Sequence, residues 1–374
     1  MSNNISADNL GTKAKRYSYI RYGLSLIGTA YLLALLFLSV ATGFSDNLSA
    51  SLSVSIPNPY FIVPAYLLIL YFLYYLLNFP LNLYQSFILE HKFALSNQKL
   101  GDWLLDQIKT GIISYIIGLI LLAAFYAILK YSAHSWWVVV SVFWIFFSLI
   151  MAKLMPIVII PLFFKYRKMT DLALRVRILN LADKMRVKLL DVFEIDFSKK
   201  TLKANAAFVG MGKTRRVILA DTLKDKYTPE EIEVILAHEF AHYRLRHMQK
   251  LIFINSLVTL ALFFIIFKTN NYTLNIFGLS SLSDLAALPV VLIYFVVFGL
   301  ITGPLENFIS RKLEKNADIT ALKITSLKEP FISLMDKLGK QNLADTDPHP
   351  IIKYFFFDHP PINERIEMAR NYRP

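Results

Sequence analysis

A chain of 374 residues, 55% hydrophobic and 18% charged, is too apolar for an ordinary soluble domain. Its net charge of +13 comes without a basic stripe interleaved with stacking aromatics, which argues against a nucleic-acid partner. The absence of cysteine excludes disulfides, thiolate metal sites and a cysteine nucleophile, so any metal here must use imidazole and carboxylate.

In chain order, a polar start at Ser2–Thr12 leads to Lys13, Lys15, Arg16 and Arg21 and then to the first of six long apolar runs. The runs are about Tyr19–Thr42, Tyr60–Tyr84, Gly111–Leu129, Trp136–Phe164, Leu251–Phe267 and Leu285–Thr302, each long enough to span a bilayer as a helix. The first is too long for a signal-peptide core and is read as a retained span. The fourth is overlong and carries Lys153, Pro156 and Pro161, so its far end is expected to bend or leave the hydrocarbon early. Basic residues alternate across these spans. Gly43–Asn58, Tyr131–Ser135 and Thr269–Asp284 are loops nearly free of lysine and arginine, whereas the N-terminal segment, Glu90–Lys109, Lys165–Lys250 and Arg311–Pro374 are rich in them. That bias places both termini in the cytosol and accounts for much of the positive charge, which also suits an anionic lipid surface.

The segment 165–250 carries soluble structure. Leu172–Met185 has helical periodicity, and Asp191–Phe197, Asn205–Val209 and Arg216–Ala220 read as short strands of a small sheet. Gly210–Thr214 lacks the spacing of a phosphate loop and reads as a hairpin turn. Next come Thr228 as N-cap, Pro229 in the first turn and Glu231 as the capping-box partner, and then His238-Glu239-Phe240-Ala241-His242. Histidines four apart share a helical face and can close on one zinc ion, with Glu239 placed to act as general base on a water. If this helix runs unbroken to Leu251, His242 and His238 lie roughly 14 and 20 Å beyond the membrane edge, at about 1.5 Å per residue. A helix leaving the bilayer near Thr302 carries Glu314 roughly 18 Å out, at matching height. Glu314 is thus a candidate third ligand, although between Lys312 and Lys315 it also reads as a solvated helix charge. His247 falls off the face of His238 and His242 on an unbroken helix.

The chain therefore divides into a cytosolic tail (1–18), a four-span membrane region (19–164), a cytosolic segment with the small sheet and the HExxH helix (165–250), two further spans (251–302) and a cytosolic end (303–374). The fold class expected is mainly α: a polytopic membrane protein of about six helices bearing a zincin-like region.

Several stretches, taken in order, resemble the type I CAAX prenyl protease family of integral-membrane zinc proteases. They are Phe87–Glu90, Asn205–Gly210, Arg216–Leu223, the HExxH helix, Ser310-Arg311 with Glu314–Asp318, and His359-Pro360-Pro361 before Arg365; the likeness runs from about Asn78 onward. The resemblance implies one Zn2+ held by His238, His242 and Glu314, with Glu239 as general base and later proton donor. It implies that Asp318 orients a ligating histidine. His359 would donate to the oxyanion with Arg311 and Arg365 as supporting charges, and Asn205 and Ala206 would begin an edge strand that pairs with substrate. Members of that family typically carry seven spans around an intramembrane chamber; six are read here, with the family's first span missing.

The activity implied is a membrane-embedded zinc endopeptidase acting on peptides or membrane proteins, including prenylated CAAX-type peptides. Two other readings stand beside it: a membrane quality-control metalloprotease, and a catalytically inactive zinc-binding scaffold or transporter. Against a transporter, the spans hold almost no ionisable residue apart from Lys153. Both a bacterial inner membrane and an endoplasmic-reticulum membrane stand as locations, and a short chain without a retention tail favours the bacterial one.

Overall fold

The structure is a computed structural model that describes residues 7–132, 134–210 and 215–373. Six of its helices are long and apolar enough to cross a membrane: Leu10–Ala41, Pro59–Lys92, Leu100–Tyr131, Trp136–Phe163, His247–Ile276 and Leu285–Thr325. Each contains or overlaps one of the six apolar runs, and all but the fourth are extended at one or both ends by helical turns that the hydropathy alone does not reveal. The principal helices of the first four spans are α1 (Ala7–Ala41), α3 (Ile62–Leu83), α4 (Leu100–Tyr131) and α5 (Trp136–Leu154). α1 thus begins inside the stretch read as a polar start, part of which lies outside the described residues. Beyond α5 the helix widens into a π turn over Met155–Ile159, where Pro156 cannot donate to the preceding turn.

The segment Gly43–Asn58 is not a loop. It forms α2 (Phe44–Ser55), whose Ser45 and Ser49 are buried. Ser45 Oγ lies 2.6 Å from the Tyr66 hydroxyl and donates to the Ala286 carbonyl at 2.8 Å. Ser49 Oγ donates to Asp284 Oδ1 at 3.4 Å. A polar face satisfied by neighbouring spans keeps this short helix against the bundle, a tertiary effect that local composition does not signal.

Outside the spans a four-stranded sheet has the order β1 (Tyr166–Lys168), β2 (Asp191–Ile195), β4 (Arg216–Ala220), β3 (Ala206–Val209). β1 pairs antiparallel with β2, β2 parallel with β4, and β3 antiparallel with β4, with Val192 opposite Val217 and Ala206 opposite Leu219. β1 had no sequence signal beyond the end of the fourth span. Residues 211–214 of the expected Gly210–Thr214 turn lie outside the described residues, and the strands on either side pair as a hairpin.

One buried core joins the sheet to helices α6 (Leu172–Lys184), α7 (Pro229–Arg244), α9 (Leu288–Thr325) and α10 (Lys328–Gln341). Ile178, Leu181, Val217, Leu219, Ile232, Phe240, Leu322 and Phe331 are its larger members. α9 is a single helix, running from the membrane into this core despite Pro304.

The HExxH helix does not continue into the fifth span. α7 ends at Arg244, and Arg246 takes a left-handed conformation (φ 57°) before α8 (His247–Ile276) begins. The heights estimated for His238 and His242 from an unbroken helix therefore do not apply. Two short helices complete the chain, α11 (Pro350–Phe356) and α12 (Ile362–Asn371).

Candidate metal centre

α7 starts where its sequence signals say it should. The Glu231 amide donates to Thr228 Oγ at 3.3 Å, and the Thr228 amide donates back to Glu231 Oε2 at 2.9 Å. Such a cap contributes about 1 kcal/mol. Glu231 also accepts from Ser333 Oγ and Lys337 Nζ, both at 2.7 Å, which ties the start of α7 to α10. Farther along, Ala237 and Ala241 of α7 and Ala317 and Ala321 of α9 are all fully buried in the shared core. Small side chains let the two backbones approach closely, and that closeness brings Glu314 to the histidines.

His238 Nε2 and His242 Nε2 lie 3.1 Å apart. Glu314 Oε2 is 3.1 Å from the first, and Oε1 is 3.3 Å from the second. Four-coordinate zinc with bonds of 2.0–2.1 Å holds neighbouring donor atoms roughly 3.3 Å apart, so this donor set has the right span for one ion. Two further observations fit a cation. Glu314 Oε2 is buried and accepts no hydrogen bond. His238 Nδ1 donates to Asp318 Oδ1 at 2.8 Å, since a carboxylate can only accept, and this leaves the Nε2 lone pair facing the other donors. Asp318 is fully buried and is itself gripped by Arg365, Nε to Oδ2 at 2.8 Å and Nη2 to Oδ1 at 2.6 Å. Burial opposes a proton on His238, but Asp318 outweighs it and lifts the ring to about 9 without metal. A metal entering here displaces that proton.

Glu239 lies between the two histidines in sequence and is partly buried. Burial opposes the charge of Arg365, yet Asp318, with Glu314 and Glu239 behind it, outweighs burial and raises its pKa. His359 reaches the same spot from the loop after α11, with Nε2 3.3 Å from Glu314 Oε2 and Nδ1 2.8 Å from Asp358 Oδ1. Its pKa is raised: burial works against the proton, while Asp358 and Glu314 favour it more strongly.

Not every residue singled out in the sequence reaches the donors. Arg311 donates from Nη1 to the carbonyls of Lys353, at 3.1 Å, and Phe357. It fastens α9 to the segment that carries His359. Asn205 precedes β3, and its carbonyl accepts from the Ala220 amide at 3.0 Å. β3, starting at Ala206, is an edge strand with no strand on its other side among the described residues, and its Phe208 ring sits edge-on to Phe240 of α7 at 5.4 Å. Beside it opens a cavity of about 720 Å³ lined by Asn205, Lys203, Arg21, Tyr22, His359 and Arg365, among others.

Two residues went unforeseen. Asp358, next to His359, has no distinguishing sequence pattern. His247 was visible, but the assumption of a continuous helix turned it away from the site. Because the chain reverses its local twist at Arg246, His247 Nδ1 comes to 3.1 Å from His242 Nδ1, and the His247 ring is fully buried. It supports the ring of His242 as Asp318 supports that of His238.

Comparison with known proteins covers the whole of this architecture. Residues 168–373 match the sequence profile of peptidase family M48. Residues 2–165 match a profile described as CAAX prenyl protease N-terminal, five membrane helices, where this chain has four long spans and the shorter α2. The likeness thus reaches back well beyond Asn78 to the first span. An uncharacterized metalloprotease, YhfN of Bacillus subtilis, is 29% identical over 95% of this chain and 84% of its own length. CAAX prenyl protease 1 of Saccharomyces cerevisiae is 30% identical over 78% of this chain and 68% of its own. The crystal structure of Ste24p from S. mikatae superposes on 99% of this chain and 91% of its own with a TM-score of 0.87 at 24% identity, a likeness of fold. The chain belongs to peptidase family M48 and is a multi-pass membrane metalloprotease related to the CAAX prenyl proteases.

Proposed function

We propose that the chain is a zinc endopeptidase that cleaves extended segments of membrane-associated peptides, including prenylated CAAX-type peptides, at the cytosolic face of a bacterial inner membrane. The observation that carries this reading is the meeting of three donor atoms from His238, His242 and Glu314 beside an edge strand and a cavity. Zinc held by these three residues would supply Lewis acidity, polarising the scissile carbonyl and lowering the pKa of a water towards about 7.

The remaining steps belong to the chain's own groups. Glu239 takes a proton from the attacking water and returns it to the leaving amine. His359, whose pKa Asp358 and Glu314 raise against the opposing effect of burial, donates to the oxyanion that develops on the carbonyl, a contribution of roughly 3–4 kcal/mol in comparable sites. Arg365 holds Asp318, which holds His238 in the tautomer that ligates. Ala206, with Asn205 just before it, begins the strand that hydrogen-bonds the substrate backbone, and this pairing tolerates many side chains. The basic flanks of the spans support cytosolic placement of both termini and the site.

Glu239→Gln keeps the donor set and removes the base. Purified in vesicles, that variant should hold zinc at the parental stoichiometry and cleave a quenched peptide at least about 100-fold more slowly. Parental turnover by the variant would remove the mechanism. The same peptide with and without a prenyl group tests the substrate class, and equal cleavage of the two would remove lipid selection from the reading.

A further inference from the structure

The seven-residue helix α11 hangs between two spans at the side of the molecule that carries the metal centre. Its Phe356 ring lies 5.1 Å from Tyr22 of α1, and Asn307 of α9 donates from Nδ2 to the Phe355 carbonyl at 2.8 Å. These contacts fix its height. Tyr22 lies three residues inside the first apolar run, and Asn307 lies five residues past the end of the sixth, about 8 Å at 1.5 Å per residue. The headgroup zone on each side of a bilayer is itself only about 5–8 Å deep. α11 therefore sits where the membrane surface passes.

At that height α11 turns large apolar groups outward: Ile351 is 64% exposed, and Tyr354 and Phe355 are each 49% exposed. Water does not favour such a cluster on a helix this short. The neighbouring surface shows what does. Ile301, Leu305 and Phe308 of α9, spaced by four and three residues, are all exposed along one stripe where that helix leaves its apolar run, an apolar surface suited to lipid. Phe308 of α9 and Lys353 of α11 line one crevice with Arg311, Lys312 and Lys315, so the stripe meets α11 across basic side chains of the kind that pair with lipid phosphate. Lys312 Nζ lies 4.3 Å from the centre of the Phe308 ring, an arrangement suited to a cation snorkelling along apolar surface towards lipid phosphate.

We propose that α11 is an interfacial anchor, with Ile351, Tyr354 and Phe355 resting in the boundary between headgroups and acyl chains of the leaflet on the metal-centre side. Tyrosine and phenylalanine at this depth are the side chains that bilayer interfaces accept best. The anchor has a consequence for the site. Only Phe357 and Asp358 separate α11 from His359, and Arg311 already clamps the Phe357 carbonyl to α9. The lipid surface thereby sets the height of the loop that places His359 beside Glu314, on the wall of the large cavity. The anchor requires only the membrane setting and none of the catalytic roles.

Because the chain has no cysteine, one introduced at Phe355 or Ile351 takes a spin label without competition. The full-length Phe355→Cys and Ile351→Cys chains are labelled and placed in vesicles of phosphatidylcholine and phosphatidylglycerol. Glu367→Cys, at a well-exposed position of α12, serves as the aqueous reference. Collision with oxygen, which concentrates among acyl chains, is compared with collision with a water-soluble nickel chelate. The oxygen-to-nickel ratio at positions 355 and 351 should exceed that at 367 several-fold. A ratio equal to that at 367 overturns the anchor, since the face is then in water. Shielding from both reagents overturns it as well, since a protein then covers the face. Either position alone decides the matter if the other variant does not fold.

Discussion

Helix α7 and span α3 are both regular helices that present many apolar side chains, yet they bury them differently. Eight of the 16 residues of α7 are buried in protein, among them Glu231 and His238. Of the 22 residues of α3, Tyr66 alone is buried; the others are half-buried or exposed, leaving apolar surface that lipid can cover. Lipid is a fluid partner that accepts nearly any apolar shape. The core around α7 is a fixed packing in which position carries the chemistry. The difference teaches where this protein is brittle: close to the donor set, substitutions that merely change volume should behave like substitutions that change charge.

The strongest way to break the contrast is to remove a donor. Glu314→Ala should lower bound zinc to background by elemental analysis and abolish cleavage, while thermal unfolding in detergent still shows a folded chain. Next comes the support of a donor. Asp318→Asn leaves Arg365 and His238 with a neutral partner and should weaken metal affinity by about 10–100-fold, measured by competition with a chelator. Unchanged affinity would mean that the His238 tautomer does not depend on Asp318.

A pure packing test sharpens the comparison. Ala241→Leu forces α7 away from α9 and should cost about 1–3 kcal/mol and weaken metal binding with it. The outward-facing Leu76→Ile in α3 should change stability by less than about 0.5 kcal/mol. Similar melting shifts for the two would contradict the distinction drawn between lipid-covered and protein-covered surface.

The last expected effect is a gain. Asp345 is 3% exposed, its Oδ2 lacks a partner, and burial pushes its carboxyl above the ordinary carboxylate range. A folded pKa above the unfolded one means that the native state holds the proton longer, so this group's contribution falls as pH rises from about 4 through its raised value. Asp345→Asn should therefore melt higher than the parent at pH 7, by up to about 1 kcal/mol. The gap should close as pH drops below about 4, and a variant less stable at neutral pH would show that the charge has a structural partner.

What could be read in advance is uneven, and the reason is physical. Six apolar runs, the capping box before α7 and the four-residue spacing of His238 and His242 are encoded within single elements, where periodicity and local hydrogen bonding decide the outcome. Glu314 lay at the edge of legibility: its height on a helix could be estimated, but lysines on both sides gave an equally good solvent-exposed reading. The break at Arg246 was not legible, because a non-glycine residue in the left-handed region is held there by surrounding packing and not by its own preference. That one backbone turn brought His247 onto His242. The same holds for α2, whose Ser45 finds partners in two spans, and for the clamp of Arg311 on the Lys353 and Phe357 carbonyls.

By itself the amino-acid sequence determined the six spans and the pair of imidazoles, which rest on composition and on spacing along one helix, and it carried the family as a resemblance of several motifs in order. Only the tertiary structure decided that Glu314, Asp318, Arg365, His247 and His359 converge on those imidazoles. Their meeting depends on the close approach of α7 and α9 across four alanines and on a reversed twist at one residue, and neither is a property of any single segment.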